Sequence, residues 1–224
     1  MRAAIAVIAA AGLLASVSAA RADLFTVTVW GGYGNNLSLG TTTPDQADLA
    51  GASNLGTAVA SFTYDGPINW VNTGANNGTN PNGNLYSQFF DGADISGFTS
   101  PGGEYAGAGG LSTFLGNSMS SQGNSWFSFL QVAGTTSGGL VTMAHDDGAS
   151  VYSGATVDYY SPNQTAEDIA TFAMPSGPFT IDYIEANGSP SILTFKVPEP
   201  GTLAIFASGL LGLTMMMQRR CRRR

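Results

Sequence analysis

The residues best suited to chemistry form one short motif, Ala144-His145-Asp146-Asp147-Gly148. Two adjacent carboxylates at a strand end, followed by a glycine that permits a sharp turn, can present hard oxygen atoms to one cation. Calcium takes six to eight oxygen ligands, and bound calcium can in turn coordinate vicinal hydroxyls of a sugar. The alternative interpretation is a β-hairpin in which the aspartates only shape the turn.

Enzyme chemistry has less support in the sequence. His145 is the only histidine, and adjacent side chains diverge on a strand, so a Ser/His/Asp triad built on this motif is disfavoured. The chain has no Gly-x-Ser-x-Gly elbow and no phosphate-binding glycine loop followed by lysine. A glycosidase needs two carboxylates across a cleft, and no particular pair of acids stands out. The sequence therefore predicts a protein that is not an enzyme, with a secreted hydrolase as the weakest alternative.

The charge distribution narrows the choice of partner. Residues 23–196 hold 14 of the 15 acidic residues and a single base, Lys196. Nucleic acid is excluded as a partner, because binding phosphate requires clustered lysine or arginine. A body with almost no basic side chains leaves its carboxylates without internal counter-charges, which favours a bound cation. The single cysteine, Cys221, rules out a disulfide framework.

The elements that must position the motif are predicted to be strands. Apolar residues alternate with polar ones in several segments, including Phe25, Val27 and Val29, and later Phe179, Ile181 and Tyr183. Residues 140–144 and 149–152 form predicted strands on either side of the motif, and turn residues are frequent throughout. The body shows no 12-residue amphipathic helical pattern, and 164–173 has room for one helical turn at most. The pattern predicts an all-β fold, an antiparallel β-sandwich.

The N-terminus has the three-part pattern of a secretory signal peptide: Arg2, an apolar stretch over residues 3–17, and small residues at Ala20 and Ala22. Cleavage is expected after Ala22, with Ala20 as the alternative. The pattern implies the Sec translocon and signal peptidase as partners. A membrane anchor is the other interpretation, but the apolar run is shorter than the roughly 20 residues that a span needs.

The C-terminus carries a second targeting segment. Two prolines interrupt Val197-Pro198-Glu199-Pro200, which predicts an exposed linker, and an apolar stretch over 203–217 follows as a candidate transmembrane helix. The tail then ends in a cytoplasmic anchor of five arginines: Arg219, Arg220, Arg222, Arg223 and Arg224. The predicted organisation is a signal peptide at 1–22, an extracellular domain at 23–196 and a sorting segment at 197–224.

The Pro-Glu-Pro motif, the apolar helix with Gly209 and Leu213, and the arginine cluster together resemble the PEP-CTERM sorting signal. This resemblance implies a Gram-negative bacterium that makes exopolysaccharide, and recognition by an exosortase that cuts near Pro198-Glu199-Pro200. The product would be anchored transiently in the inner membrane and then reside at the cell surface or in the extracellular matrix without a transmembrane helix. A permanent single-pass anchor is the alternative.

Residues 126–197 resemble the later half of PA14-type, jelly-roll-like β-sandwich domains, in which an Asp-Asp-Gly turn follows a central strand. In the sugar-binding branch of that family, the residues matching Asp146 and Asp147 bind calcium and glycan, and a later loop supplies a further ligand. Asn187 or Glu185 would match that ligand, and the spacing does not choose between them. No motif in 22–122 aligns with the family.

The function expected from the sequence is that of an exported cell-surface or exopolysaccharide-matrix protein that is not catalytic. Calcium is its expected cofactor, and an extracellular polysaccharide is its expected partner through calcium-assisted contact. The alternative is a structural biofilm protein without a ligand site.

Overall fold

The computed structural model describes most of the body of the chain. The described residues are 24–33, 47–51, 55–72, 84–120, 127–163, 165–186 and 188–197. The predicted signal peptide, Asn187, Pro198-Glu199-Pro200, the apolar stretch at 203–217 and the terminal arginines lie outside these residues. Within them, no helix is long and apolar enough to span a bilayer.

Thirteen strands are present among the described residues. In chain order they are β1 (Leu24–Tyr33), β2 (Ala60–Asp65), β3 (Asn69–Asn72), β4 (Asn84–Leu85), β5 (Ile95–Thr99), β6 (Ser118–Ser120), β7 (Phe127–Thr136), β8 (Gly139–Asp146), β9 (Ala149–Ser153), β10 (Thr156–Ser161), β11 (Asp168–Met174), β12 (Gly177–Glu185) and β13 (Ser191–Lys196).

The strands form two main sheets in which every neighbouring pair is antiparallel. The larger has the order β10-β9-β12-β7-β1-β2-β5, and the smaller has the order β11-β8-β13-β3. Strands β4 and β6 form a separate pair. Apart from β1–β2 and β9–β10, neighbouring strands are not consecutive in the chain, as expected when a chain crosses repeatedly between two sheets.

The core lies between the two sheets and follows from the period-two alternation. The larger sheet contributes Val27, Val29, Leu130, Val132 and Ile181, and the smaller sheet contributes Trp70, Val141, Met143, Leu193 and Phe195. Short helices fill one side of this core: α1 (Tyr86–Phe89) and α2 (Gly110–Leu115) meet through Tyr86 and Phe114, whose rings stack with centroids 4.2 Å apart.

A second apolar cluster covers part of the outer face of the larger sheet. A 3-10 helix, Ala47–Leu49, and the residues after it pack there. The cluster consists of Trp30, Ala47, Ala50, Leu55, Ala58, Phe127, Phe129, Ile184 and Ala186. Both faces of the larger sheet are therefore buried near this helix, which explains why β7 begins with four consecutive buried residues.

The predicted all-β antiparallel sandwich is confirmed, and so are strands at the segments with the clearest alternation. The one helical turn that the sequence allowed within 164–173 is absent from residues 168–173, because Asp168–Met174 forms strand β11 and pairs along its whole length with β8. Backbone hydrogen bonds to β8 fix this segment as a strand, and local propensity does not report such pairing.

Candidate functional site

The Asp146-Asp147 turn lies at one end of the smaller sheet. Strand β8 brings Asp146 opposite Ile192 of β13, and the chain turns at Asp147 and Gly148 into β9. An open cavity of about 390 Å³ lies at this turn, and its lining residues are Asp146, Asp147, Thr165, Ala166, Ala186, Gly188, Ser189 and Pro190. The structure thus brings both predicted aspartates to one cavity.

Asp147 is held rigidly although it lines the cavity. Its side chain is only 2% exposed, and its Oδ2 accepts a hydrogen bond from the backbone N–H of Ala186 at 2.7 Å. The Asp146–Asp147 peptide bond is cis. Because Ala186 directly follows β12, this hydrogen bond joins the turn to the end of the larger sheet.

Asp146 is half-buried and faces a negative neighbourhood. Burial raises the pKa of its carboxyl to about 6, and the negative charge of Glu167 contributes in the same direction. A raised pKa means that the ionised carboxyl is less stable here than in water. Binding of a proton or a cation therefore stabilises it. At neutral pH the group is mostly ionised, so a cation in the cavity would be stabilised.

His145 supports the turn from the core side. It follows Val141 and Met143 on the inward face of β8 and is fully buried. Its Nδ1 contacts the carbonyl oxygen of Asp147 at 2.5 Å, and its Nε2 contacts the Tyr159 hydroxyl at 2.7 Å. Burial lowers the pKa of this imidazole. Both ring nitrogens are therefore engaged in holding the turn and the two sheets together.

The structure places Glu185 away from the cavity. Glu185 shares the inward face of β12 with Ile181 and Tyr183, because side chains alternate along a strand, and it is fully buried. Its Oε1 accepts hydrogen bonds from Asn84 Nδ2 at 3.1 Å and from Ser120 Oγ at 2.9 Å. Glu185 thus belongs to an interior polar network, while Asn187, the other sequence candidate, lies outside the described residues.

Tyr183 connects this interior network to the turn. Its hydroxyl donates to the carbonyl oxygen of Asp146 and lies 2.6 Å from Oε2 of Glu185. The hydroxyl has one proton, and a carbonyl oxygen can only accept. A protonated Glu185 satisfies both contacts, in agreement with a pKa that burial, and secondarily the charge of Asp147, raise well above the usual range.

Replacing Glu185 with glutamine is expected to stabilise the protein increasingly as pH rises. In the unfolded wild type the Glu185 carboxyl ionises above its ordinary pKa of about 4.3, whereas in the folded protein it stays protonated. The free energy of unfolding therefore falls with pH, by up to about 1.4 kcal/mol per pH unit, until the folded carboxyl also ionises. Glutamine at position 185 keeps the hydrogen bonds but cannot ionise, so it removes this fall of the free energy of unfolding with pH. Urea unfolding at pH 4.5 and pH 7 measures the difference.

Glu104 provides the control for that comparison, because it is exposed and Glu104→Gln should leave the slope unchanged. A stability gap between Glu185→Gln and wild type that stays constant or shrinks with rising pH would contradict a buried neutral carboxyl.

The cavity can offer hard oxygen ligands: the two carboxylates, the hydroxyls of Thr165 and Ser189, and backbone carbonyls. Among the described residues, no group of three or more His, Cys, Asp or Glu side chains is arranged to hold a metal ion. A cation here would therefore need neutral oxygens or water besides the two aspartates. Sequence reasoning missed Thr165 and Ser189, because nothing in their local sequence shows that both loops approach the turn.

The solved structures similar to this chain include two PA14 domains. A "PA14 sugar-binding domain from RTX adhesin" has a TM-score of 0.48 and 14% sequence identity, covering 77% of this chain and 88% of that one. The PA14 domain of the MpAFP antifreeze protein has a TM-score of 0.42 and 12% identity, covering 83% and 89%. No protein of curated function matches the chain.

The C-terminal segment matches a family directly. Residues 196–223 match the PEP-CTERM protein-sorting motif, which confirms the prediction made from the Pro-Glu-Pro sequence, the apolar stretch and the arginine cluster. This motif marks proteins that are exported through the membrane and processed by an exosortase. The chain is an exported protein that carries a PEP-CTERM sorting motif at residues 196–223.

Proposed function

We propose that the exported body is a non-catalytic binding protein that holds calcium at Asp146 and Asp147 and, through that ion, a glycan outside the cell. The observation that carries the proposal is the meeting of these two carboxylates at one open, polar cavity. The sequence holds no lysine or arginine between positions 22 and 195, so the body offers few basic side chains that would compete with a cation.

Calcium suits this cavity better than soft metal ions do. The candidate ligands are all oxygens, which excludes soft metals that prefer sulfur or imidazole. The unfavourable burial of Asp146, seen in its raised pKa of about 6, is relieved by a divalent ion. Two carboxylates fill only part of a shell of six to eight ligands, so several positions remain for water, neutral protein oxygens or a ligand.

A sugar fits the remaining coordination positions because its vicinal hydroxyls are hard oxygen donors. The cavity is open and large enough for a monosaccharide unit. Its position also suits an exported protein. Strand β13 starts beside the cavity and ends at Lys196, roughly 16 Å farther along the strand, so the chain leaves toward the sorting motif from the opposite end.

Two parts of the proposal rest on the sequence alone. Asn187 remains the predicted further calcium ligand, from the loop between β12 and β13. Exosortase cleavage near Pro198-Glu199-Pro200 would release the body from its membrane segment into a polysaccharide matrix at the cell surface. Glu185 is not part of the proposed shell, because its carboxyl lies within the interior network.

Asp146→Asn is expected to weaken calcium binding at this cavity while leaving the fold intact. The wild type should bind calcium with a dissociation constant of about 10⁻⁴–10⁻³ M, as extracellular modules do, and the variant should bind it at least tenfold more weakly because the charge is lost. Equilibrium dialysis of the full-length chain in detergent measures both. Asp65→Asn, an exposed aspartate at the end of β2, is the matched control.

Glycan binding is then tested on a panel of bacterial polysaccharides with and without a calcium chelator. The proposal expects binding that the chelator abolishes and Asp146→Asn weakens. Calcium binding without any glycan binding would contradict the glycan-binding role and favour a structural surface protein. Turnover of a polysaccharide would instead indicate a hydrolase.

A further inference from the structure

A second oxygen-rich cluster lies on the outer face of the larger sheet, away from the Asp146-Asp147 cavity. Tyr160 of β10 is opposite Ser150 of β9, Ser150 is opposite Asp182 of β12, and Asp182 is opposite Gln131 of β7. Directly opposed residues of antiparallel strands project from the same face. These four polar side chains therefore form a continuous row across the sheet.

The 3-10 helix Ala47–Leu49 lies over this row and adds a second carboxylate. The Tyr160 hydroxyl donates to Oδ2 of Asp48 at 3.2 Å, and a Cβ on Gly51 would lie only 2.9 Å from Nε2 of Gln131. The helix is fastened at its start by the Ala47 N–H, which donates to the Pro162 carbonyl at 2.8 Å. Asp48 and the sheet row therefore share one partly covered space, which is open at Tyr160, a residue that is 58% exposed.

The two carboxylates in this space lack a positive partner. Asp182 is only 7% exposed, and Nε2 of Gln131, a neutral group, donates to its Oδ1 at 3.0 Å. Burial raises the pKa of Asp182 to about 7, and the negative charge of Asp48 adds to that shift. The sequence provides no lysine or arginine in the body before Lys196, and His145 is on the other sheet.

Two oxygens in the same space lack a close hydrogen-bond partner. Ser150 is fully buried, and its Oγ makes no close hydrogen bond to the described residues, although the Tyr152 hydroxyl lies near it. Oδ1 of Asp48 is also buried without a hydrogen-bond partner among them. Buried polar atoms are almost always satisfied, so two such oxygens beside a second carboxylate point to a missing electropositive group.

We propose that Asp48, Asp182 and Ser150 form a second calcium site, which fastens the 3-10 helix to the outer face of the larger sheet. A hard divalent ion binds carboxylate and hydroxyl oxygens together, and it offsets the negative charges of both carboxylates at once. Its role is structural, because the same helix covers the apolar cluster around Trp30, Phe129 and Ile184. The proposal is independent of the Asp146-Asp147 site.

The test counts calcium ions bound to the full-length chain in detergent by equilibrium dialysis and measures the calcium-dependent rise in unfolding temperature. The wild type is expected to bind two ions per chain. Asp182→Asn keeps the hydrogen bond from Gln131 and should bind one ion fewer, without loss of stability in calcium-free buffer. Ser150→Ala should weaken the same site about tenfold, and Asp65→Asn should change nothing.

The two sites fail separately in this experiment. If Asp182→Asn and Ser150→Ala bind as much calcium as the wild type, the second site is overturned whatever happens at Asp146. If Asp146→Asn retains one ion that Asp182→Asn then removes, the second site is supported. A wild type with a single ion that disappears in Asp182→Asn but not in Asp146→Asn supports the second site and overturns the first.

Discussion

Replacing Trp70 with alanine is expected to lower the free energy of unfolding by about 3–5 kcal/mol. Trp70 is 2% exposed and packs between the sheets and the helical side of the core. Its ring centroid lies 4.8 Å from that of Phe90 and 5.1 Å from that of Tyr64, both in edge-to-face geometry. The substitution removes this burial and leaves a cavity that the surrounding aromatic rings cannot close.

Val71, the next residue on β3, provides a matched control, since it points outward and is 41% exposed. Val71→Ala should change the free energy of unfolding by no more than about 0.5 kcal/mol. Urea unfolding, monitored by far-UV circular dichroism of the backbone, compares the two variants. Equal losses at the two positions would contradict the assignment of the inward and outward faces of this sheet.

Gly148→Ala is expected to cost about 3 kcal/mol and to weaken calcium binding at the neighbouring aspartates at least tenfold. A Cβ at this position would lie 2.1 Å from the carbonyl oxygen of Pro162 and 2.9 Å from that of Asn163. Both obstacles are backbone atoms and cannot rotate away. The Gly148 carbonyl also accepts the Ile184 N–H at 3.0 Å, so the turn must move against β12.

Gly116→Ala is the control for this prediction, because its Cβ would meet Ser112 O at 3.4 Å and Thr113 O at 3.6 Å, which are ordinary contacts, and its φ is −77°. Unfolding and calcium dialysis are measured on both variants. Normal calcium binding in a folded Gly148→Ala protein would show that the turn geometry does not govern the site.

The sequence was sufficient for the strands whose inward residues are consistently apolar. Val27 and Val29 of β1, and Ile181 and Tyr183 of β12, alternate with polar residues, and both segments are strands. The turn at Asp147 and Gly148 was predicted from glycine chemistry. Strand β11 was not, because its edge position leaves Ile169 exposed and weakens the alternation that identifies a strand.

The surroundings of the candidate sites could not be predicted, because they depend on distant parts of the chain. Glu185 was a plausible ligand by its place near a loop, yet its partners Asn84 and Ser120 are 101 and 65 residues away. Asp48 had no distinguishing feature in the sequence. Only the strand register shows that Ser150 and Asp182 lie on one face, where Asp48 covers them.

The most direct measurement is anomalous X-ray scattering from crystals of the protein that are grown with calcium and then soaked with a glycan that the protein binds in solution. A calcium peak is expected within about 2.3–2.6 Å of carboxylate oxygens of both Asp146 and Asp147, with sugar hydroxyls completing its shell. A calcium-saturated crystal with no ion at these aspartates, or with the glycan held elsewhere, would contradict the proposed function.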